Sequence, residues 1–90
     1  MADADLGEIW CRTSRRQSED AAERLIERIR RRVDGLPADL FAGPQVPGFA
    51  EGLRHVVVGD CGVYYRAEED AVTVLRVLHG RQDRAAALPR

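Results

Sequence analysis

The stretch Leu53–Leu78, LRHVVVGDCGVYYRAEEDAVTVLRVL, decides the fold of this chain. Apolar residues recur in it with a period of two, in runs rich in valine, leucine and tyrosine. The runs are Leu53–Val58, Val63–Arg66 and Ala71–Leu78. The intervening segments, 59–62 and 67–70, are four residues long, which suits hairpins and is too short for a parallel crossover. The sequence therefore predicts three strands in an antiparallel meander.

The strand residues divide between two faces if Val58 pairs with Val63 and Arg66 pairs with Ala71. One face then carries Val56, Val58, Val63, Tyr65, Val72, Val74, Arg76 and Leu78, and the other carries Val57, Tyr64, Arg66, Thr73, Leu75, Val77 and His79. A slip of one residue would exchange the two faces. Both faces contain apolar residues, which indicates that one face or one strand edge is left for a protein partner.

Two amphipathic helices precede the strands, and together they predict a helical hairpin over about residues 3–34. In the first helix Leu6, Ile9, Trp10 and Thr13 recur at helical spacing. Ser18 is a good N-cap for the second helix, whose apolar stripe consists of Ala22, Leu25, Ile26, Ile29, Val33 and Leu36. We expect Trp10, the only tryptophan, to be largely buried between this hairpin and the sheet.

The segment 35–52 contains three prolines and four glycines, which cannot continue either periodic pattern. It is predicted to be a long loop held down by its apolar residues, Leu36, Leu40, Phe41 and Phe49. Residues 80–90 form a tail. The chain of 90 residues is thus predicted to be one α+β domain over 1–90, with the N-terminal two-helix hairpin packed on the C-terminal sheet.

The composition excludes several classes of protein. A net charge of −1 argues against binding nucleic acid through bulk charge alone. All 14 basic residues are arginines, however, and arginine can bind a carboxylate or phosphate group bidentately. Cys11 and Cys61 stand alone and are expected to be reduced thiols, with Cys61 inert rather than nucleophilic. The chain carries neither a signal peptide pattern nor a long apolar run, so we expect a cytoplasmic protein without a membrane partner.

Standard catalytic signatures are missing from the sequence: there is no phosphate-binding G-x-x-x-x-G-K-[ST], no G-x-S-x-G and no H-E-x-x-H. The two histidines, His55 and His79, lie far apart, and with the two cysteines they show no metal-ligand spacing. We therefore expect neither a metal nor a cofactor.

Arginines on or beside the strands are the candidate site residues, namely Arg54, Arg66, Arg76 and Arg81. Two interpretations remain open for them. They are either rim residues whose stems cover apolar surface, or a convergent basic cluster that binds an acidic partner segment or RNA phosphate. His79, at the end of the last strand, is either a general acid or base or a capped strand-end residue.

The segment Val72–Arg84, VTVLRVLHGRQDR, closely resembles the C-terminal signature of ParE-like toxins in the RelE/ParE superfamily. The resemblance extends over nearly the whole chain. The matching segments, in the order of that family, are ADLGEIW at Ala4–Trp10, AAERLIERI at Ala21–Ile29, GLRHVVVGD at Gly52–Asp60 and VYYRAEEDAV at Val63–Val72.

This resemblance implies the toxin of a type II toxin–antitoxin pair, neutralised by a cognate antitoxin whose disordered tail folds across the toxin. ParE-like members are associated with poisoning DNA gyrase, whereas RelE-like members cut messenger RNA on the ribosome. In the RNase alternative, Arg54, Arg81 and His79 would be the catalytic residues. The lysines and the C-terminal tyrosine or histidine often found in cleaving members have no counterpart here, which favours the gyrase branch, a non-enzymatic toxin without sequence-specific DNA binding.

Family members usually begin with a strand just before the helix that A-x-x-D-L opens, and here Met1 stands almost where that helix starts. The resemblance therefore implies that the first strand is absent, through a late start codon or a truncated gene. A third function follows, that of a truncated relic that binds antitoxin without being toxic. We expect the 90-residue chain alone to be partly molten and to be rescued by an N-terminal extension or by antitoxin.

Overall fold

A computed structural model describes residues 2–69, 71–80 and 84–90 of the chain. Two helices, α1 (Ala2–Arg16) and α2 (Glu19–Gly35), are followed by a 3₁₀ turn (Leu36–Ala38), by the strands β1 (Leu53–Val58), β2 (Cys61–Glu68) and β3 (Ala71–His79), and by a short helix, α3 (Arg84–Ala87). The three strands form one antiparallel sheet in the order β1-β2-β3. The predicted α+β class, a helical hairpin on a three-stranded sheet, is confirmed.

Capping and charge explain where the helices begin and end. The Ser18 hydroxyl accepts a hydrogen bond of 3.0 Å from the backbone N–H of Ala21, which confirms Ser18 as the N-cap of α2. In α1, acidic residues occupy the first turn and Arg15 and Arg16 occupy the last, as the helix dipole favours. The connection between the helices is therefore only two residues long, and the helices pack as a hairpin.

The β1–β2 hairpin is tighter than the sequence predicted. Val58 pairs with Cys61, not with Val63, so Gly59 and Asp60 alone form the turn. Gly59 has a φ of 61°, a conformation that favours glycine and that two-residue hairpin turns require. The predicted pairing is wrong by two residues. The sequence analysis assigned all of 59–62 to the loop, whereas Cys61 and Gly62 belong to β2.

An irregularity in β3 changes the predicted division of the faces. Tyr64 pairs with Arg76 and Tyr65 pairs with Val74, so Leu75 is an extra residue in β3. Such a bulge reverses the alternation of side chains that follow it. Val77 consequently packs on the helix side, and Leu78 packs on the opposite side, which is the reverse of the prediction.

Two apolar clusters lie on the two faces of the sheet. The helix-side cluster contains Ile9, Ile26, Ile29, Leu36, Val56, Val58, Cys61, Val63, Tyr65 and Val77. The opposite cluster is smaller and contains Val46, Leu53, Tyr64, Leu78 and Leu88. The prediction that helices cover only one face is thus correct, but the other face is not left bare.

The chain itself covers part of the second face. Val46 from the long loop and Leu88 from the C-terminal segment are both buried there, and the N–H of Ala50 donates to the carbonyl of Pro89 over 3.0 Å. Residues 84–90 thus pack against the sheet. The sequence analysis described residues 80–90 only as a tail and did not predict this contact. Of the predicted loop anchors, Leu36 is fully buried, but Phe41 is 69% exposed.

Trp10 packs against the helix-side cluster, as predicted, but it is half-buried and lies beside Ile26 of α2. Its neighbour Ile9 turns into the core and is 2% exposed. The buried face of α1 is rotated relative to the predicted one. It is formed by residues spaced by four, namely Asp5, Ile9 and Thr13.

We therefore expect the fluorescence of Trp10 in the native chain to be intermediate between that of a buried and that of a free tryptophan. Acrylamide quenching measures this directly, with the unfolded chain in denaturant as the reference. Quenching as weak as that of a fully buried indole would contradict the half-buried placement.

No helix among the described residues is both long enough and apolar enough to cross a membrane.

Candidate functional site

The sheet face turned away from the helical hairpin gathers aromatic and cationic side chains around Tyr64. The His55 ring stacks on Tyr64 with a centroid distance of 5.5 Å and an interplanar angle of 13°. The Arg84 guanidinium carbon lies 5.4 Å from the Tyr64 ring centroid, within cation–π range. We name His55, Tyr64, Arg66 and Arg84 the sheet-face cluster.

Strand register explains this assembly. His55 pairs with Tyr64 across β1 and β2, and Arg66 follows Tyr64 by two residues, so all three side chains share one face. The Tyr64 ring lies over Gly62, where a Cβ would come within 2.9 Å of the ring. The glycine therefore leaves the space that the Tyr64 ring occupies.

Two nitrogen atoms in the sheet-face cluster, His55 Nδ1 and Arg66 Nε, are buried without a hydrogen-bond partner among the described residues. A buried polar atom left unpaired costs about 1–3 kcal/mol, so a binding partner that brings an acceptor for Arg66 Nε or a hydrogen-bonding group for His55 Nδ1 would relieve a penalty already present. Burial lowers the pKa of His55 and the positive charge of Arg84 lowers it further, against the opposing effect of the Pro44 carbonyl. The cluster at neutral pH thus combines an uncharged imidazole with two guanidinium groups, which suits anionic or aromatic partner groups.

Arg54 lies on the other face of β1 and holds the long loop in place through two contacts. Its guanidinium donates a 2.8 Å hydrogen bond to the Gly43 carbonyl and stacks on the exposed Phe41 ring, 4.8 Å from its centroid. The Tyr65 hydroxyl fastens the same segment, because it donates to the Leu40 carbonyl over 3.1 Å and accepts from the Gly43 N–H over 3.0 Å. Arg54 and Arg66 are therefore not brought together.

Gly43 is required by this loop attachment. A Cβ at that position would lie 2.1 Å from the backbone carbonyl oxygen of His55, which cannot move without disturbing β1. With glycine at position 43, the loop backbone thus approaches the sheet edge more closely than it could if that position held a residue with a side chain.

Arg76, expected among the partner-binding arginines, is bound inside the chain. Its Nε and a terminal nitrogen donate to the two carboxylate oxygens of Asp5 over 2.7 and 2.8 Å, and Asp5 also accepts from the Val77 N–H over 3.0 Å. Asp5 is only 4% exposed. Because Nε and one terminal nitrogen of Arg76 both bind Asp5, this side chain joins α1 to β3.

Of the three residues expected for an RNase site, the structure describes two, Arg54 and His79. Arg54 pairs with Tyr65, whereas His79 pairs with Cys61, four residues away along β2, and the two residues lie on opposite outer strands. Strand geometry then separates their Cα atoms by about 16 Å. Arg81, the third residue of that set and a predicted partner-binding residue, lies outside the described residues.

The cysteines differ in environment. Burial, followed by the charge of Asp60, raises the pKa of Cys61 to about 12, so its thiol stays protonated at neutral pH and is a poor nucleophile. Cys11 is exposed and unpaired. Within 2–69, 71–80 and 84–90, no three His, Cys, Asp or Glu side chains are grouped closely enough to hold a metal ion.

A second cationic region was not predicted. The helices and the β1–β2 turn enclose a cleft of about 500 Å³ lined by four arginines, Arg12, Arg16, Arg24 and Arg28. Their spacing by four on each helix is the signal in the sequence that places each pair on one face.

Comparison with known proteins identifies the family. Residues 1–84 match the family model described as the ParE toxin of the type II toxin–antitoxin system, parDE. Two relatives named Toxin ParE1, from Mycobacterium tuberculosis strains CDC 1551 / Oshkosh and ATCC 25618 / H37Rv, are each 32% identical over 83 residues, which covers 91% of this chain and 85% of theirs.

The fold agrees with a solved structure described as the chromosomal ParDE TA system from P. aeruginosa. The TM-score is 0.72 at 20% identity, and the match covers 87% of this chain and 86% of that one. At this identity the neighbour supports only the fold. The assignment of the chain to a family rests on the family model and the relatives. The chain therefore belongs to the ParE toxin family, the toxins of type II toxin–antitoxin systems.

Proposed function

We propose that this toxin inhibits DNA gyrase by binding to it, without cleaving RNA, and that a cognate antitoxin neutralises it. The observation that carries the proposal is the distance of about 16 Å between the Cα atoms of Arg54 and His79, the two described residues of the expected RNase set. We infer from this separation that Arg54 and His79 do not act together on one scissile phosphate. A toxin that acts without cleavage would do so by occupying its target.

The sheet-face cluster is the surface we propose for partner recognition. It presents two guanidinium groups beside a stacked aromatic pair, and buried nitrogen atoms of His55 and Arg66 lack hydrogen-bond partners within the described chain. Arginine and tyrosine are the residue types that dominate binding energy in protein interfaces. Of the arginines expected to bind a partner, Arg66 lies in this cluster, whereas Arg54 and Arg76 lie elsewhere, bound to the Gly43 carbonyl and to Asp5, and Arg81 lies outside the described residues.

The antitoxin partner follows from membership in a two-component family, and the neighbouring structure is itself described as a ParDE system. Gyrase as the target, a cytoplasmic location and the lack of direct sequence-specific DNA binding belong to the proposal. The net charge of −1 agrees with a toxin that reaches DNA through a protein target.

Purified components test this proposal. The chain is added to gyrase and relaxed plasmid, and supercoiling is measured with and without the protein encoded by the adjacent reading frame. We expect supercoiling to stop, the adjacent protein to restore it, and Arg66→Gln to weaken inhibition about tenfold while the melting temperature stays nearly unchanged. Arg15→Gln, an exposed helical substitution, is the matched control.

An RNase remains the second candidate because the unpaired Arg66 Nε in the sheet-face cluster could equally donate a hydrogen bond to a phosphate oxygen. Protein synthesis and messenger RNA integrity, followed just after induction in cells, separate the two activities. Rapid loss of translation with cut messenger RNA and normal supercoiling would refute gyrase inhibition. If neither activity changes but the adjacent protein still binds, the chain is a non-toxic relic.

A further inference from the structure

The arginine cleft is formed by the C-terminal half of α1, the first half of α2 and the β1–β2 turn. Its volume is about 500 Å³, and Arg12, Arg16, Arg24 and Arg28 line it together with Thr13, Gln17, Ala21, Leu25, Gly59 and Asp60. None of these residues belongs to the sheet-face cluster. The cleft is therefore a separate surface, and its role goes beyond the function proposed above.

The charges in the arginine cleft are unbalanced. Within the part of the chain that the structure describes, Asp60 is the one carboxylate in its lining, and it is paired with Arg12 over 3.3 Å. Among the described residues, Arg16, Arg24 and Arg28 form no ion pair. Three arginines thus line one cleft without an ion-pair partner among the described residues, in a chain whose net charge is −1, and this concentration of positive charge attracts an anionic group.

The β1–β2 turn keeps the cleft open. Gly59 has a positive φ, and a Cβ there would come within 3.3 Å of Leu25 Cδ1 and 3.8 Å of a terminal nitrogen of Arg28. The guanidinium of Arg28 therefore lies directly beside the turn, with the apolar Leu25 side chain next to it. The cleft offers an apolar wall and cationic groups within the reach of one short segment.

We infer that the arginine cleft binds an acidic, leucine-containing segment of a partner protein. Carboxylates would pair with Arg16, Arg24 and Arg28, since guanidinium forks bind carboxylates bidentately, and an apolar side chain would pack on Leu25. A nucleic acid fits less well because single-stranded binding sites stack bases on aromatic rings, and no aromatic residue lines this cleft.

Fluorescence anisotropy with defined probes tests the inference on the full chain. The probe is a labelled 12-residue peptide of alternating glutamate and leucine pairs, and its glutamine counterpart reports the contribution of charge. We expect the glutamate peptide to bind at low salt and to weaken as salt rises. The double substitution Arg24→Gln/Arg28→Gln is expected to weaken binding about tenfold.

Arg15→Gln/Arg30→Gln is the matched control, because it also removes two helical arginines but changes none that line the cleft. Its binding is expected to change less than about twofold, since these charges act only through screened solvent. Equal weakening by the two double variants would overturn the inference and assign the binding to overall charge. A 12-nucleotide oligothymidylate that binds more tightly than the peptide would overturn it in favour of nucleic acid.

Nuclear magnetic resonance of the unmodified chain provides a measurement that needs no variant. The backbone amides of Leu25 and Gly59 are expected to shift on titration with the glutamate peptide, while that of Tyr64 stays in place. Shifts confined to the sheet-face cluster would refute the cleft. Inhibition of gyrase enters none of these readouts, so a failure of the proposed function would leave this test unaffected.

Discussion

Replacing Asp5 with alanine is expected to lower the free energy of unfolding by about 3–5 kcal/mol, a large part of the about 5–10 kcal/mol that a domain of this size has. Asp5 is 4% exposed and accepts two hydrogen bonds from Arg76 and one from the Val77 N–H. Its removal leaves the Arg76 guanidinium partly buried without a counter-charge, and it leaves a backbone donor unpaired. Urea denaturation followed by circular dichroism measures the change.

Asp3→Ala is the matched control, since Asp3 is an exposed acidic residue in the same helical turn. It removes the same charge near the helix N-terminus and should cost no more than about 0.5 kcal/mol. In a double-mutant cycle, Arg76→Met is expected to recover part of the loss caused by Asp5→Ala, because it removes the unpaired charge. Equal destabilisation by Asp3→Ala and Asp5→Ala would show that the pair contributes little.

The same ion pair predicts how stability depends on pH. Burial alone would raise the pKa of Asp5, but the hydrogen bonds from Arg76 and Val77 and the Arg76 charge outweigh it and hold that pKa below 3.8. A carboxyl group with a depressed folded-state pKa stabilises the protein above its unfolded pKa, and this stability is lost as pH falls through the folded-state value. We therefore expect the wild-type chain to lose this contribution as pH falls below about 4. Asp5→Ala lacks the contribution at every pH, so its stability should fall less over the same range.

The elements of the fold followed from the sequence because their signals are local. The period of two in the strands, the Ser18 cap and the apolar stripe of α2 each depend on neighbours a few residues away. The bulge at Leu75 and the two-residue turn are different, since both are decided by cross-strand pairing. The faces of β3 were consequently assigned incorrectly beyond the bulge.

The site was less predictable for a related reason. Asp5 fits the dipole rule for an exposed first turn, and only its spacing of four from Ile9 indicates that it belongs to the buried stripe. Arg76 fits a partner-binding arginine equally well until Asp5 is placed beside it. Contacts between residues 71 positions apart leave no periodic trace in either segment. The arginine cleft combines three elements in the same way and could not be assembled from any one of them.

Tyr65 carries the second large expected effect, because it joins the core to the long loop. Tyr65→Ala is expected to lower the free energy of unfolding by about 3–5 kcal/mol, since the ring is fully buried on the helix side of the sheet and leaves a cavity. Tyr65→Phe keeps the ring and removes only the hydroxyl, which donates to the Leu40 carbonyl and accepts from the Gly43 N–H. We expect this variant to lose about 1–2 kcal/mol.

The neighbouring tyrosine supplies the matched control for the hydroxyl. Tyr64 lies on the opposite face and its hydroxyl makes no hydrogen bond to a described residue, so Tyr64→Phe should change stability by less than about 0.5 kcal/mol. Hydrogen exchange at the Gly43 amide separates loop opening from global unfolding. If Tyr65→Phe accelerates exchange at Gly43 while the centre of β2 stays protected, the hydroxyl holds the loop on the sheet. Unchanged exchange at Gly43 would mean that Arg54, through its own bond to the Gly43 carbonyl, is sufficient to keep the loop in place.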